Sequence, residues 1–367
     1  MTGQSHTAGS AREASTLPRR LSDALAQQRL QAFLISAAPN IRYLTGFTGS
    51  SGYLLVSPGR TVLYTDGRYE TQAREQTSGI EIVISSRNPL LSVEQGLKKQ
   101  GIKRLAFEEN RLSFETYQRL AALPKLRLKP LAGLVEELRA VKSAAEIALI
   151  RKSVALNSEA FDRACARVRS SWTELRLAGE IEYQMRRLGA EKAAFDTIVA
   201  GGPRAALPHA TPSRAPLARN SLIVIDQGAI LDGYNSDMTR MACLGRLASR
   251  EREWVHAVWE AQQAAIDKVK AGVKAGAVDR AARQVLKRFR LAEAFKHSTG
   301  HGLGLEIHEQ PRIGPGEAKR LTAGMVITIE PGVYIEGAGG VRIEDVVAVT
   351  RNGCEVLTPA SKPVRFL

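Results

Sequence analysis

"VITIEPGVYIEGAGGVRIEDVVAV", residues 326–349, is a strand-rich run interrupted by two glutamates and a glycine-rich centre. Its β-branched residues read as strands folding back at a turn near Gly337. Charges are depleted from half-buried strands, so Glu330 at the end of "VITIE" and Glu344 inside "VRIEDVV" need a reason. Folding back at Gly337 brings the two together across antiparallel strands. The stretch "LIVIDQGAILDGYNSDMTR", residues 222–240, repeats the design: Asp226 ends "LIVID", Asp237 sits in "YNSDMTR", and Asp232-Gly233 between them is a turn signal. Two hairpins, each carrying an acid pair, can deliver four carboxylates to one point.

Such a cluster cannot stay ionised without cations, because like charges a few ångströms apart raise one another's pKa. Two divalent ions match four carboxylates in charge. At a separation of ~3.5–4 Å the ions would repel by on the order of 20 kcal/mol at an effective dielectric of about 20. Bridging carboxylates offset that repulsion. The pattern therefore predicts a dinuclear site rich in oxygen ligands, suited to Mn²⁺ or Co²⁺ at least as well as to Zn²⁺.

Three of the six histidines lie in "HSTGHGLGLEIHEQP", residues 297–311. His297 and His301 have the spacing of a helical zinc pair, but "GHGLG" is too glycine-rich for a helix interior. An extended strand is expected instead, with one histidine on metal and the others facing a substrate. His6 and His256 carry no assignment.

The surrounding sequence supplies two domains. From Leu17, short strand candidates ("AFLISA", "SGYLLVS", "TVLYTDGRY", "RLAFEE") alternate with helical segments ("LPRRLSDALAQQRL", "VEQGLKKQG", "SFETYQRLAAL"), an α/β domain over residues 17–137. Residues 1–16 are small and polar and read as a mobile tail. Residues 138–367 hold four long amphipathic segments, beginning with "AAEIALIRKSVALNSEAFDRACARV", between the acid-bearing strands. This predicts an α+β domain in which helices cover one face of a mostly antiparallel sheet.

Composition excludes several classes. No apolar run approaches the roughly 20 residues that span a bilayer, and the N-terminus lacks the apolar core of a secretory signal. Cys165, Cys243 and Cys354 are sparse and far apart, which argues for a reducing, cytoplasmic setting and against a disulfide framework. The net charge of +15 raises a nucleic-acid reading. The charge is spread, however: residues 1–137 carry 18 Lys+Arg against 12 Asp+Glu, and the rest carry 34 against 25. With no localised basic block, no specific nucleic-acid partner is expected.

Five ordered segments, "LPHATP" (207–212), "VIDQGAILDGYNSDMTR" (224–240), "HSTGHGLGLEIHEQP" (297–311), "MVITIEPGVYI" (325–335) and "GGVRIEDVVAVT" (340–350), resemble the proline-specific metallopeptidases of the pita-bread fold, aminopeptidase P and Xaa-Pro dipeptidase (prolidase). "NIRYLTGFTGSSGYLLV" (40–56) and "YTDGRYETQA" (64–73) are similar to that family's creatinase-type N-terminal domain. The resemblance implies metal ligands Asp226, Asp237, His301, Glu330 and Glu344, with Asp237 and Glu344 bridging two metals. It implies Glu330 as the proton shuttle to the leaving imino nitrogen, and His209 and His308 as the histidines that stabilise the tetrahedral intermediate. His297 would line the substrate pocket. Arg342, two residues before Glu344 on one strand face, would brace that carboxylate or contact substrate. Arg312 would hold a substrate carboxylate.

The activity implied is hydrolysis of the bond between an N-terminal residue and a following proline, with a homodimer as the assembly and manganese as the metal. A methionine-aminopeptidase-like enzyme on the same fold is the alternative, but such enzymes usually lack a large N-terminal domain. A non-enzymatic binding module of the same fold would typically have lost ligand positions, and all five stand here.

Overall fold

The structure is a computed structural model and describes Leu21, Leu25 and residues 30–367. The expected tail, 1–16, and most of the helical stretch 17–30 lie outside the described residues. The chain divides into two compact units, with the boundary in sequence after Leu138.

The N-terminal unit is built on a six-stranded sheet. Its strand order is Glu81–Ser85, Arg60–Asp66, Tyr53–Ser57, Ala32–Ile35, Arg104–Glu108, Arg127–Leu131. Only the pairings of Tyr53–Ser57 with its two neighbours are antiparallel. Successive residues of Ala32–Ile35 enter opposite cores: Phe33 and Ile35 pack with Leu54 and Val56, while Ala32 and Leu34 pack with Leu55 and Leu105. A strand buried on both faces reads as an unbroken apolar run, which is how "AFLI" reads.

The C-terminal unit opens with the helix Ala144–Cys165, which begins with a capping box. Ser143 Oγ accepts from the Glu146 N–H at 3.3 Å, and the Glu146 carboxylate accepts from the Ser143 N–H at 2.9 Å. The helices Glu174–Arg187, Ser249–Lys268 and Ala275–Arg288 follow, close to the expected segments. Strands Leu222–Gln227 and Met238–Cys243 pair in antiparallel register, Asp226 opposite Thr239, and every residue of both is buried. Helices cover both faces here, not one. Leu222 and Val224 pack with the helices Ser249–Lys268 and Ala275–Arg288, whereas Ile223 and Ile225 pack with Ala144–Cys165 and Glu174–Arg187. The physical reason is in "LIVI", which is apolar throughout where a one-sided strand would alternate.

The second acid-bearing hairpin is split between two sheets. Val326–Ile329 and Asp345–Val349 pair within a five-stranded sheet, while Gly332–Ile335 and Gly339–Arg342 form a separate two-stranded one. Ile329 stands opposite Asp345 and Gly332 opposite Arg342, so the same register runs across the break and sets Glu330 opposite Glu344. Gly337 makes the turn at φ 72°, in the left-handed region open to glycine. Glu344 is therefore not central in a strand, as "VRIEDVV" suggests, but lies in the interruption. Its N–H bonds Thr239 O at 3.2 Å, and the Glu330 N–H bonds Thr299 O at 2.7 Å.

Candidate metal centre

The two hairpins meet at their acid pairs. Directly opposed residues share a sheet face, so Asp226 and Thr239 point the same way, and Asp237 immediately precedes the strand Met238–Cys243. Asp237, His301 and Glu344 offer ligand atoms that all lie within 4.8 Å of one another. His301 Nε2 is 3.3 Å from Glu330 Oε1 and 3.5 Å from Asp237 Oδ2. Two atoms that each sit about 2.0–2.2 Å from one ion are spaced in that range.

His301 is held for ligation by its own backbone. Nδ1 bonds Gly302 O at 3.0 Å, so it carries the proton and leaves the Nε2 lone pair facing the carboxylates. Glycines permit this placement. A Cβ on Gly300 would lie 2.0 Å from Thr328 O, and one on Gly302 would lie 2.3 Å from Gln310 O. The segment is not the continuous extended strand expected of it, however. Only Gly300–Gly302 is strand, and the chain bends back to pair with Glu309–Ile313. That return carries the His308 ring edge-on to His301, with centroids 4.4 Å apart.

Three of the four carboxylates are anchored by a side chain through one oxygen. Glu344 Oε2 accepts from Thr239 Oγ1 at 2.9 Å, Asp226 Oδ2 from Arg342 Nη2 at 2.5 Å, and Glu330 Oε1 from Thr328 Oγ1 at 3.2 Å. The other oxygens of Asp226 and Glu344 are buried with no protein partner. Leaving such an acceptor unsatisfied costs about 1–3 kcal/mol, more when it is charged. Burial, then the charges of Asp226 and Glu330, hold the Asp237 carboxyl well above the usual carboxylate range. Burial, then Asp237 and Glu330, do the same to Glu344. Glu330 is also raised, chiefly by burial. Burial lowers the His301 and His308 imidazoles, favouring their neutral forms. Unpartnered buried oxygens, mutually raised acids and a neutral imidazole form a donor set that fits divalent cations.

The remaining predicted residues surround this cluster. Arg342 is buried, and its contacts are with protein: Asp226, Tyr334 Oη at 2.6 Å, Thr239 Oγ1 at 3.0 Å and Pro208 O at 3.1 Å. It braces Asp226 directly and reaches Glu344 through Thr239, where the sequence leaves open a brace on Glu344 or a substrate contact. His297 bonds Ser298 O through Nδ1 at 2.8 Å and Tyr334 Oη through Nε2 at 2.9 Å, so both ring nitrogens have protein partners. The loop carrying His209 is tied at Pro208 by Arg342, and His209 itself is exposed. Arg312 stands opposite His301 in the ladder, but its guanidinium is exposed and faces Glu317 at 3.9 Å.

Several residues escaped the sequence reading. Thr239 stands two residues after Asp237, a period-two signal that could have found it. Arg240, 1% exposed, bonds Thr239 O, Glu344 O, Asp345, Ala360 O and Ser361 O, and so pins both hairpins from behind. Glu309 beside His308 is ion-paired with buried Arg139 and Lys142. Nothing local marks those partners, which lie more than 160 residues away in sequence.

This fold and this donor set define a metal-dependent hydrolase, and the comparisons agree. Residues 148–351 match Metallopeptidase family M24, and residues 19–141 match the Creatinase/Prolidase N-terminal domain. The chain belongs to metallopeptidase family M24 and has its pita-bread catalytic fold. It is 34% identical to an Xaa-Pro dipeptidase of Pyrococcus horikoshii, over 94% of this chain and 97% of that one. The solved Xaa-Pro dipeptidase from Bacillus anthracis is 36% identical, with a TM-score of 0.93, covering 97% of this chain and 100% of that one. The X-Pro aminopeptidase from Thermotoga maritima is 35% identical with a TM-score of 0.88, covering 95% and 99%. Among the described residues, no helix is long and apolar enough to cross a membrane.

Proposed function

We propose that the protein is a metallo-exopeptidase that hydrolyses the bond between an N-terminal residue and a following proline. The observation that carries this reading is the convergence of Asp226, Asp237, His301, Glu330 and Glu344, two of them with buried, unpartnered oxygens. Near-full-length similarity to Xaa-Pro dipeptidases supports proline at the second position.

Asp237 and Glu344 would be shared by two divalent ions, with Asp226 helping to hold one and His301 with Glu330 the other. Manganese is the metal that this oxygen-rich set favours. When bound, the ions activate water as the nucleophile and polarise the scissile carbonyl. The protein's own residues do the rest. Glu330, held by Thr328 and beside His301 Nε2, takes a proton and passes it to the leaving proline nitrogen. His209 and His308 donate hydrogen bonds to the oxygen that becomes negative. His297, fixed by Tyr334 and Ser298, walls the pocket. Arg342 holds Asp226, and Arg312 offers an exposed cation for a substrate carboxylate. A homodimer in the cytoplasm is the expected form.

Manganese-loaded protein incubated with Ala-Pro, Ala-Pro-Ala and Met-Ala, before and after chelation, tests the reading. Cleavage of Ala-Pro or Ala-Pro-Ala that is lost on chelation supports it, and the relative turnover of the two separates dipeptidase from aminopeptidase. Cleavage of Met-Ala alone refutes proline specificity.

A further inference from the structure

Glu174 is 1% exposed and lies at the start of the helix Glu174–Arg187, where a negative charge also suits the helix dipole. The sequence reading gives it no role, and it touches none of the metal-site carboxylates. Its carboxylate accepts four hydrogen bonds, all from one loop. Oε1 takes the Gly201 N–H at 2.9 Å. Oε2 takes the Ser213 N–H at 3.0 Å, Ser213 Oγ at 2.7 Å and Arg204 Nε at 3.0 Å.

Those donors bracket residues 201–213, the loop that presents His209. Gly201 lies at its beginning and Ser213 at its end, so one carboxylate closes the loop at its base. Arg204 extends the closure, since its Nη2 reaches Thr211 O at 2.6 Å across the tip. The tip is tied to the metal site at one further point, Arg342 to Pro208 O. The only regular structure inside the loop is the short 3₁₀ turn Gly202–Ala206, and the exposed His209 is placed by these ties together with buried Ala205 and Ala210 and the bond from the Ala210 N–H to Leu207 O at 3.2 Å.

We propose that Glu174 is a positioning residue for the peptidase reaction, holding the His209 loop so that the imidazole meets the developing oxyanion. The proposal rests on the role given to His209 above. A glutamine would keep the shape of Glu174 but replace one acceptor with a donor, facing the Gly201 and Ser213 N–H groups and the Arg204 guanidinium, which only donate, and the Ser213 hydroxyl, which can do either. Displacement of a catalytic group by about 1 Å can cost on the order of 100-fold in rate.

The test is a double-mutant cycle on Ala-Pro hydrolysis with manganese-loaded protein: Glu174→Gln, His209→Ala and both together, with bound manganese counted in each. Glu174→Gln is expected to lower kcat/KM about 10- to 100-fold, chiefly through kcat, with manganese content unchanged. Adding it to His209→Ala is expected to cost nothing further. Ser213→Ala removes one donor and is expected to give a smaller loss with the same pattern, so it carries the test if Glu174→Gln does not fold. A full additional loss in the His209→Ala background, or a fall in bound manganese, overturns the proposal while leaving His209's role standing. Unchanged activity in His209→Ala alone overturns the role given to His209, and this proposal with it.

Discussion

Thr239 Oγ1 donates to Glu344 Oε2 at 2.9 Å and accepts from Arg342 Nε at 3.0 Å. One hydroxyl thus joins an acid of the second hairpin to the arginine that holds Asp226 of the first. Thr239 and Arg342 each occupy one oxygen of these carboxylates, and the other, Glu344 Oε1 and Asp226 Oδ1, stays buried without a protein partner. Thr239→Val keeps the shape and removes both bonds. Loss of such an outer partner typically weakens metal binding about 10–100-fold. Equilibrium dialysis against manganese should show that loss for Thr239→Val and a much smaller one for Thr239→Ser. Unchanged affinity in the valine variant would remove Thr239 from the account.

In the proposed mechanism Glu330 serves twice, as ligand beside His301 and as proton carrier. General acid–base groups contribute about 10²–10⁴-fold, so Glu330→Gln should lower kcat by at least about 100-fold. Manganese content must be measured alongside, because the amide also weakens one shell. A variant that binds two ions and keeps most of its turnover would take the proton transfer away from Glu330.

The raised acids make a pH prediction whose sign follows from proton counting. A carboxyl with a raised folded pKa binds its proton more tightly folded than unfolded. In metal-free protein, Asp237, Glu330 and Glu344 therefore subtract stability as pH climbs past their ordinary values of about 4. The loss continues until the raised folded values are passed. Cations displace those protons and reverse the penalty. The gap in Tm between manganese-loaded and metal-free protein should widen as pH rises above the ordinary carboxyl value of about 4, and binding should release protons to the buffer. A gap independent of pH would contradict the assigned ligands.

The acid-bearing hairpins were legible because glutamate and aspartate inside "VITIE" and "LIVID" violate strand preference, and such violations mark sites. Their turns were legible from Asp232-Gly233 and the glycines around Gly337. The sheet switch at Glu330 and Glu344 was not, since it depends on backbone partners from Thr299 and Thr239, which sequence does not pair. Nor was the two-sided helix cover, although the unbroken "LIVI" hinted at it. His301 was separated from its neighbours by the glycines around it. The engagement of His297 by Tyr334, and of Arg342 by Asp226 rather than Glu344, depends on side chains that meet only in three dimensions. Glu174 stayed hidden because its donors, Gly201, Arg204 and Ser213, are 27 to 39 residues away.

The count of metal ions in the active protein tests the central claim most directly. Metal-free protein titrated with manganese, with bound metal and Ala-Pro turnover followed together, should saturate at two ions per chain. Asp237→Asn, which removes a bridging charge, should fail to hold the pair and lose most turnover. Full activity with one ion per chain, or turnover that survives complete chelation, would contradict the dinuclear centre.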